Sequence, residues 1–158
     1  MKNIEFTITD DLLATKQQRL LNLIIDLLFL YIIILSVGTA IMLIGEASYN
    51  LALSDWIKSM GWLEIVFYSL LIMFLYYSLT EIYFSRTFAQ LVTRTVVVKK
   101  DGSKPDNAMF FKRTLFRFIP FEPFSFLGAS SRGWHDIFSE TYVVKKRKLA
   151  RKMKLIET

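Results

Sequence analysis

The chain has no cysteine and a single histidine among 158 residues. A disulfide framework and a thiolate metal site are therefore excluded, as are the usual zinc clusters. No glycine-rich phosphate loop is present; the Lys99-Lys100-Asp101-Gly102-Ser103 stretch reads as a turn. His135-Asp136 is an acid–base pair on paper, but no third group stands at a spacing that would complete a catalytic set. No catalytic residue, cofactor or metal is expected, and the chain reads as something other than an enzyme. A cleavable leader is not expected either. The first 19 residues are polar and mixed in charge, and the apolar run behind them is too long for a signal sequence. It reads as an uncleaved anchor.

What the chain does have is apolar length. It is 53% hydrophobic, with 14 Phe, 7 Tyr and 3 Trp, which is too apolar for an ordinary soluble domain. From Leu20 to Ile44 the only charge is Asp26. About 20 apolar residues at ~1.5 Å each cross the ~30 Å hydrocarbon core, so a first membrane helix is predicted over about 16–44. Thr15 and Gln18 fit a capping box at its start. A second span is predicted over about 63–84, with Glu64 and Glu81 near its two ends. The intervening loop, 45–62, allows a short amphipathic helix carrying Trp56 toward the membrane surface.

Charge then orients the chain. Residues 1–19 hold three Lys or Arg, the loop holds one, and residues 85–158 hold sixteen. The positive-inside rule puts both termini in the cytoplasm. The expected fold is a mainly α multi-pass membrane protein in one domain, 1–158, with a tail at 1–15, two spans and a lobe at 85–144. That lobe combines a short hairpin-like strand pair with an interfacial or re-entrant amphipathic helix. Val96-Val97-Val98 and Thr141-Tyr142-Val143-Val144 are the predicted strands. Asn107 is expected to cap a helix over Ala108–Ile119, halted by Pro120 and Pro123. Residues 145–158 form a basic tail. Lys145–Lys154 holds seven Lys or Arg in ten, read as attraction to anionic lipid rather than nucleic acid.

Arg19, Asn22 and Asp26 are spaced three, four and seven apart, which places them on one helical stripe. A carboxylate in lipid costs roughly 2.5–3.5 kcal/mol at mid-depth, so the stripe is expected to face protein or water. Arg19 and Asp26 are ~10 Å apart along the axis, so a direct bond between them is one arrangement and a separate partner for each is the other. Glu81 and His135 are further candidates for this cluster. The bland reading of His135 is a residue closing a turn, with Asp136 capping a short helix.

These motifs, taken in order, resemble the RDD family of small bacterial membrane proteins, named for one arginine and two aspartates. Arg19-Leu20-Leu21-Asn22-Leu23-Ile24-Ile25-Asp26 looks like its opening motif. Arg113, Arg117 and Pro120, with Gly133-Trp134-His135-Asp136 and Val143-Val144, look like its C-terminal signature. The Ile119–Gly128 stretch is similar to the form found in Bacteroidetes-type bacteria. Arg19, Asp26 and Asp136 thus map onto the three letters, and in place of a direct Arg19–Asp26 bond the resemblance offers Asp136 to Arg19 and Arg113 or Arg117 to Asp26. One departure stands out: where the family often has Thr-x-Gly-Lys, this chain has Thr87-Phe88-Ala89-Gln90. The resemblance implies a bacterial inner-membrane location and either of two roles. One is transport of protons or cations through the Arg/Asp site of an oligomer. The other is an accessory or scaffold subunit of a membrane complex, with the Arg/Asp residues forming a structural polar network.

Overall fold

The computed structural model describes residues 6–128 and 132–157. In chain order its elements are α1 (Lys16–Ala47), α2 (Leu51–Ser59), α3 (Trp62–Phe84), α4 (Phe88–Val92), β1 (Thr95–Val98), α5 (Asn107–Phe116), α6 (Trp134–Phe138), β2 (Tyr142–Lys145) and α7 (Lys146–Glu157). Two single turns of 3-10 helix, Asp10–Leu12 and Glu122–Leu127, complete it. The mainly α class, the two long apolar helices and the strand pair all agree with the sequence reading.

Helices α1 and α3 are both long and apolar enough to cross a membrane. Only 11% and 22% of their most apolar windows are buried within the protein, so their side chains point outward, unlike those of a soluble core helix. The capping box at the start of α1 is present: the Gln18 N–H donates to Thr15 Oγ1 at 3.2 Å, and the Thr15 N–H donates to Gln18 Oε1 at 3.1 Å. Glu64, in the first turn of α3, reaches back to accept the Gly61 N–H at 2.7 Å.

The chain falls into two compact units, one of which is Leu27–Tyr76. Here the Tyr68 hydroxyl donates to the Ile34 carbonyl at 2.9 Å, and Phe29 tilts against Tyr76 with centroids 5.7 Å apart. Lys58, on α2, donates to Glu46 at 2.9 Å.

The flanking segments form the other unit. Its centre is the antiparallel pair β1–β2, registered Thr95 with Lys145 and Val98 with Tyr142. One small core joins Leu12, Val98, Val144 and Leu149; another joins Ala14, Val97, Phe110 and Val143. The strand pair is not a hairpin, because α5, the 3-10 turn and α6 all lie between β1 and β2. The Asp101-Gly102 turn instead leads into α5, closed by the Gly102 N–H on the Lys99 carbonyl and the Lys99 N–H on the Ser103 carbonyl.

Gly102 has φ +80°, and a Cβ added there would lie 2.7 Å from the Phe6 ring. Left-handed backbone costs a non-glycine residue ~1–2 kcal/mol before any clash. Gly102→Ala is therefore expected to lower the thermal midpoint of the purified protein, whereas alanine at neighbouring Ser103 leaves it nearly unchanged.

Two expectations shift in this unit. Helix α5 is capped at Asp106 rather than Asn107 and ends at Phe116, three residues early. Its exit tightens into i→i−3 bonds from Arg117, Phe118 and Ile119, because the residues before Pro120 are steered away from α geometry. The basic tail is also a docked helix: Leu149 of α7 enters the first core, and Lys152 Nζ donates to Thr9 Oγ1 at 2.7 Å.

Candidate functional site

All three members of the α1 stripe are buried. Asn22 Oδ1 accepts from the Thr93 hydroxyl at 2.6 Å, and its Nδ2 donates to Thr95 Oγ1 at 3.3 Å. The stripe is thereby fixed to the start of β1. Arg19 forms an ion pair with Asp136 through Nη2 and Oδ2. Asp26 accepts the Ala89 N–H of α4 at 3.2 Å. Of the arginines expected near Asp26, Arg117 feels its carboxylate electrostatically.

The departure at Ala89-Gln90 finds its reason at this point. Thr87 and Gln90 form a reciprocal capping box at the head of α4, Gln90 N–H to Thr87 Oγ1 at 3.4 Å and Thr87 N–H to Gln90 Oε1 at 3.1 Å. That box presents the Ala89 amide to Asp26. The Ala89 methyl is fully buried.

From Asp136 the ion pairs continue inward. Asp136 Oδ2 also accepts the Gly133 N–H at 3.1 Å, which secures the first turn of α6, while Oδ1 pairs with Arg113 Nη1. Arg113 Nη1 donates to Thr141 Oγ1 at 2.8 Å, and its Nε donates to Glu81 Oε1 at 3.1 Å. The same Glu81 oxygen accepts from Arg117 Nη2 at 2.6 Å. Arg117 lies 3.8 Å over the Tyr77 ring. The result is one alternating chain, Arg19–Asp136–Arg113–Glu81–Arg117, which ties the start of α1 and the end of α3 to α5 and α6.

Burial moves the charges of this chain. It brings Arg113 down to about 10, Glu81 opposing that shift, so the guanidinium stays charged at neutral pH. Arg117 is also penalised by burial, but its neighbours, the Glu81 carboxylate foremost, outweigh this and raise it. His135 goes the other way. Burial, then the positive charges of Arg113, Arg117 and Arg19, push its imidazole well below the ordinary value.

His135 contacts Glu122, a residue that none of the sequence motifs singles out. Its Nδ1 faces Glu122 Oε1, and its Nε2 lies 3.3 Å from Asp136 Oδ1. Glu122 is buried despite its aromatic surroundings in the chain. The available signal was physical: a lone carboxylate among phenylalanines and prolines needs a partner. Thr95 and Thr141, fully buried polar residues at the edges of the strand pair, carried no comparable signal. Among the described residues, no three acidic or histidine side chains converge to hold a metal ion.

Two helices long and apolar enough to cross a membrane, in a chain that also carries a buried ionic chain, define a small membrane protein. The RDD family model matches residues 13–140, most of the chain, and the chain belongs to the RDD family. No curated protein and no solved structure matches it.

Proposed function

We propose that this chain is a non-transporting accessory or scaffold subunit of the bacterial inner membrane, whose ionic chain locks the lobe onto the ends of its two spans. The observation carrying this reading is the alternation of Arg19, Asp136, Arg113, Glu81 and Arg117, in which every side chain has an opposite charge beside it. Such pairs fix geometry more than they add stability, and they resist the exchange that a transport carboxylate needs. Asp26, the residue a transporter would use, is held by a backbone amide.

The distribution of Lys and Arg supports cytoplasmic termini and a cytoplasmic lobe. Exposed Phe111 and Leu115 of α5, with exposed Phe88, Phe121, Phe124 and Trp134 elsewhere in the lobe, support an interfacial setting for it. Arg147 and Arg151, exposed on α7 away from buried Leu149, support contact with anionic headgroups. Two spans leave most of their surface to lipid, a second copy or a partner subunit.

A second reading, proton or cation transport by an oligomer, is favoured by one observation. Among the described residues, Glu81 Oε2, Arg113 Nη2 and Arg117 Nη1 are buried without a hydrogen-bond partner, so the centre of the chain has polar capacity to spare. Reconstitution separates the two. Under the scaffold reading, proteoliposomes of wild type pass protons and sodium no faster than empty liposomes, while Asp26→Asn lowers the thermal midpoint, with a loss of ~1–3 kcal/mol. A wild-type flux that Asp26→Asn or Glu81→Gln abolishes, with the variant as stable as wild type, contradicts it.

A further inference from the structure

His135 is the only histidine in the chain, and both of its ring nitrogens face carboxylate oxygens. A neutral imidazole has one N–H, and an ionised carboxylate only accepts. With both acids ionised and the ring neutral, one of the two contacts would set lone pair against lone pair. One added proton removes the conflict. Asp136 is not its place, because that carboxylate already accepts from Arg19, Arg113 and the Gly133 amide. Glu122 Oε1 has weaker company, the Ser125 hydroxyl and the His135 amide, each at 3.3 Å.

Charged groups of both signs surround the pair. Arg19 from α1 and Arg113 and Arg117 from α5 and its exit turn stand against Asp26 from α1, Glu81 from α3, Glu122, and Asp136 from α6. Arg132 adds a further cation beside Asp136, its Nη2 donating to the backbone carbonyls of Asp136 and Thr141 at 3.2 and 3.1 Å. Space is kept for the pair as well. A Cβ on Gly133 would come within 3.0 Å of Glu122 Oε1 and 3.1 Å of His135 Nδ1.

We propose that Glu122 and His135 form a proton-binding site, a pair that holds one dissociable proton at neutral pH on the flank of the arginine chain. The proton either protonates Glu122, whose O–H then donates to Nδ1 while Nε2–H donates to Asp136, or it makes the ring an imidazolium donating to both acids. The depressed proton affinity of the buried ring favours the first arrangement. In both, the pair titrates as a unit.

The test is nuclear magnetic resonance of the full-length protein in detergent at pH 7, with 15N-histidine and 13C-glutamate labels. One histidine makes its signals unambiguous, and Glu122→Gln identifies the Glu122 carboxyl. A neutral Nε2–H ring with a protonated Glu122 is expected, and an imidazolium with an ionised Glu122 supports the site equally. A neutral ring beside an ionised Glu122 overturns it.

A second measurement does not depend on assignment. Unfolded histidine takes up its proton near pH 6.5 and unfolded glutamate near 4.3. Wild type, folded with one proton on the pair, binds as many protons as the unfolded pair between about pH 5 and 6.5, so its stability does not change there on this account. Above about 6.5 the unfolded pair is empty, and wild type loses stability as pH rises, by up to tenfold in the unfolding constant per pH unit. Glu122→Gln, with a neutral folded ring, instead loses stability as pH falls below about 6.5. Thermal midpoints that diverge in this way support the site; midpoints of the two proteins that run parallel from pH 5 to 8 overturn it.

Discussion

Arg113→Leu is expected to leave almost no folded protein in the membrane. Arg113 is fully buried and, among the described residues, is the only side chain that bonds both Glu81 and Asp136. Leucine fills part of the space but leaves two carboxylates facing each other across a dry site. Removing one partner of a buried ionic set costs ~3–5 kcal/mol, a large share of the ~5–15 kcal/mol that holds a typical domain together. Arg117 still reaches Glu81, so the loss falls mainly on Asp136. Arg113→Lys tests whether charge alone suffices. Lysine supplies one ammonium, whereas the native guanidinium spends Nε on Glu81 and Nη1 on Asp136 and Thr141. It is expected to recover less than half of the loss, measured as the thermal midpoint and yield of detergent-extracted protein.

The second large effect is at Asp136. Asn keeps the size and one acceptor oxygen but removes the charge that both Arg19 and Arg113 face, and it places an amide N–H₂ against one of them. Two guanidiniums then lie buried without their shared anion. The first turn of α6 also loses the charged acceptor for the Gly133 amide. A loss of ~3–5 kcal/mol is expected. Because Asp136 lies between two arginines, its loss and that of Arg113 overlap. The double variant is expected to be no worse than the more damaged single variant by more than ~1 kcal/mol, since residues in one network do not add.

The parts of this account that sequence exposes are those with periodicity. Both long helices follow from uninterrupted apolar runs, and the stripe of Arg19, Asn22 and Asp26 follows from helical spacing. The strands follow from β-branched residues next to a turn signal. The pairing of Arg19 with Asp136 required more: 117 positions separate them, and only the ordered motifs of the RDD resemblance brought them into one argument. Asp26 shows where such reasoning stops. A search for a charged side chain leads to Arg113 or Arg117, yet Asp26 also accepts the backbone amide of Ala89, and an amide has no sequence signature of its own. The signal lay one step back, in Thr87-x-x-Gln90. That is the same capping pattern as Thr15-x-x-Gln18 ahead of α1, but here it stood where the family's glycine and lysine are missing. Glu122 was hidden for a similar reason. Its partner His135 lies beyond a 3-10 turn that begins after Phe121, a left-handed residue between Pro120 and Pro123. Chain reversals of this kind bring residues together without leaving a period to read.

The Arg19–Asp136 pair carries the central claim, that the family's arginine and last aspartate act as a lock between α1 and the lobe. A double-mutant cycle on it, with Arg19→Met, Asp136→Asn and both together, isolates their interaction from the packing each side chain also provides. Measured from unfolding of the detergent-solubilised protein, the coupling is predicted to be about 2–3 kcal/mol and favourable, the upper end of values for buried contacting pairs. A coupling within ~0.5 kcal/mol of zero, with both single variants folded, would show that the two residues stand together without holding anything.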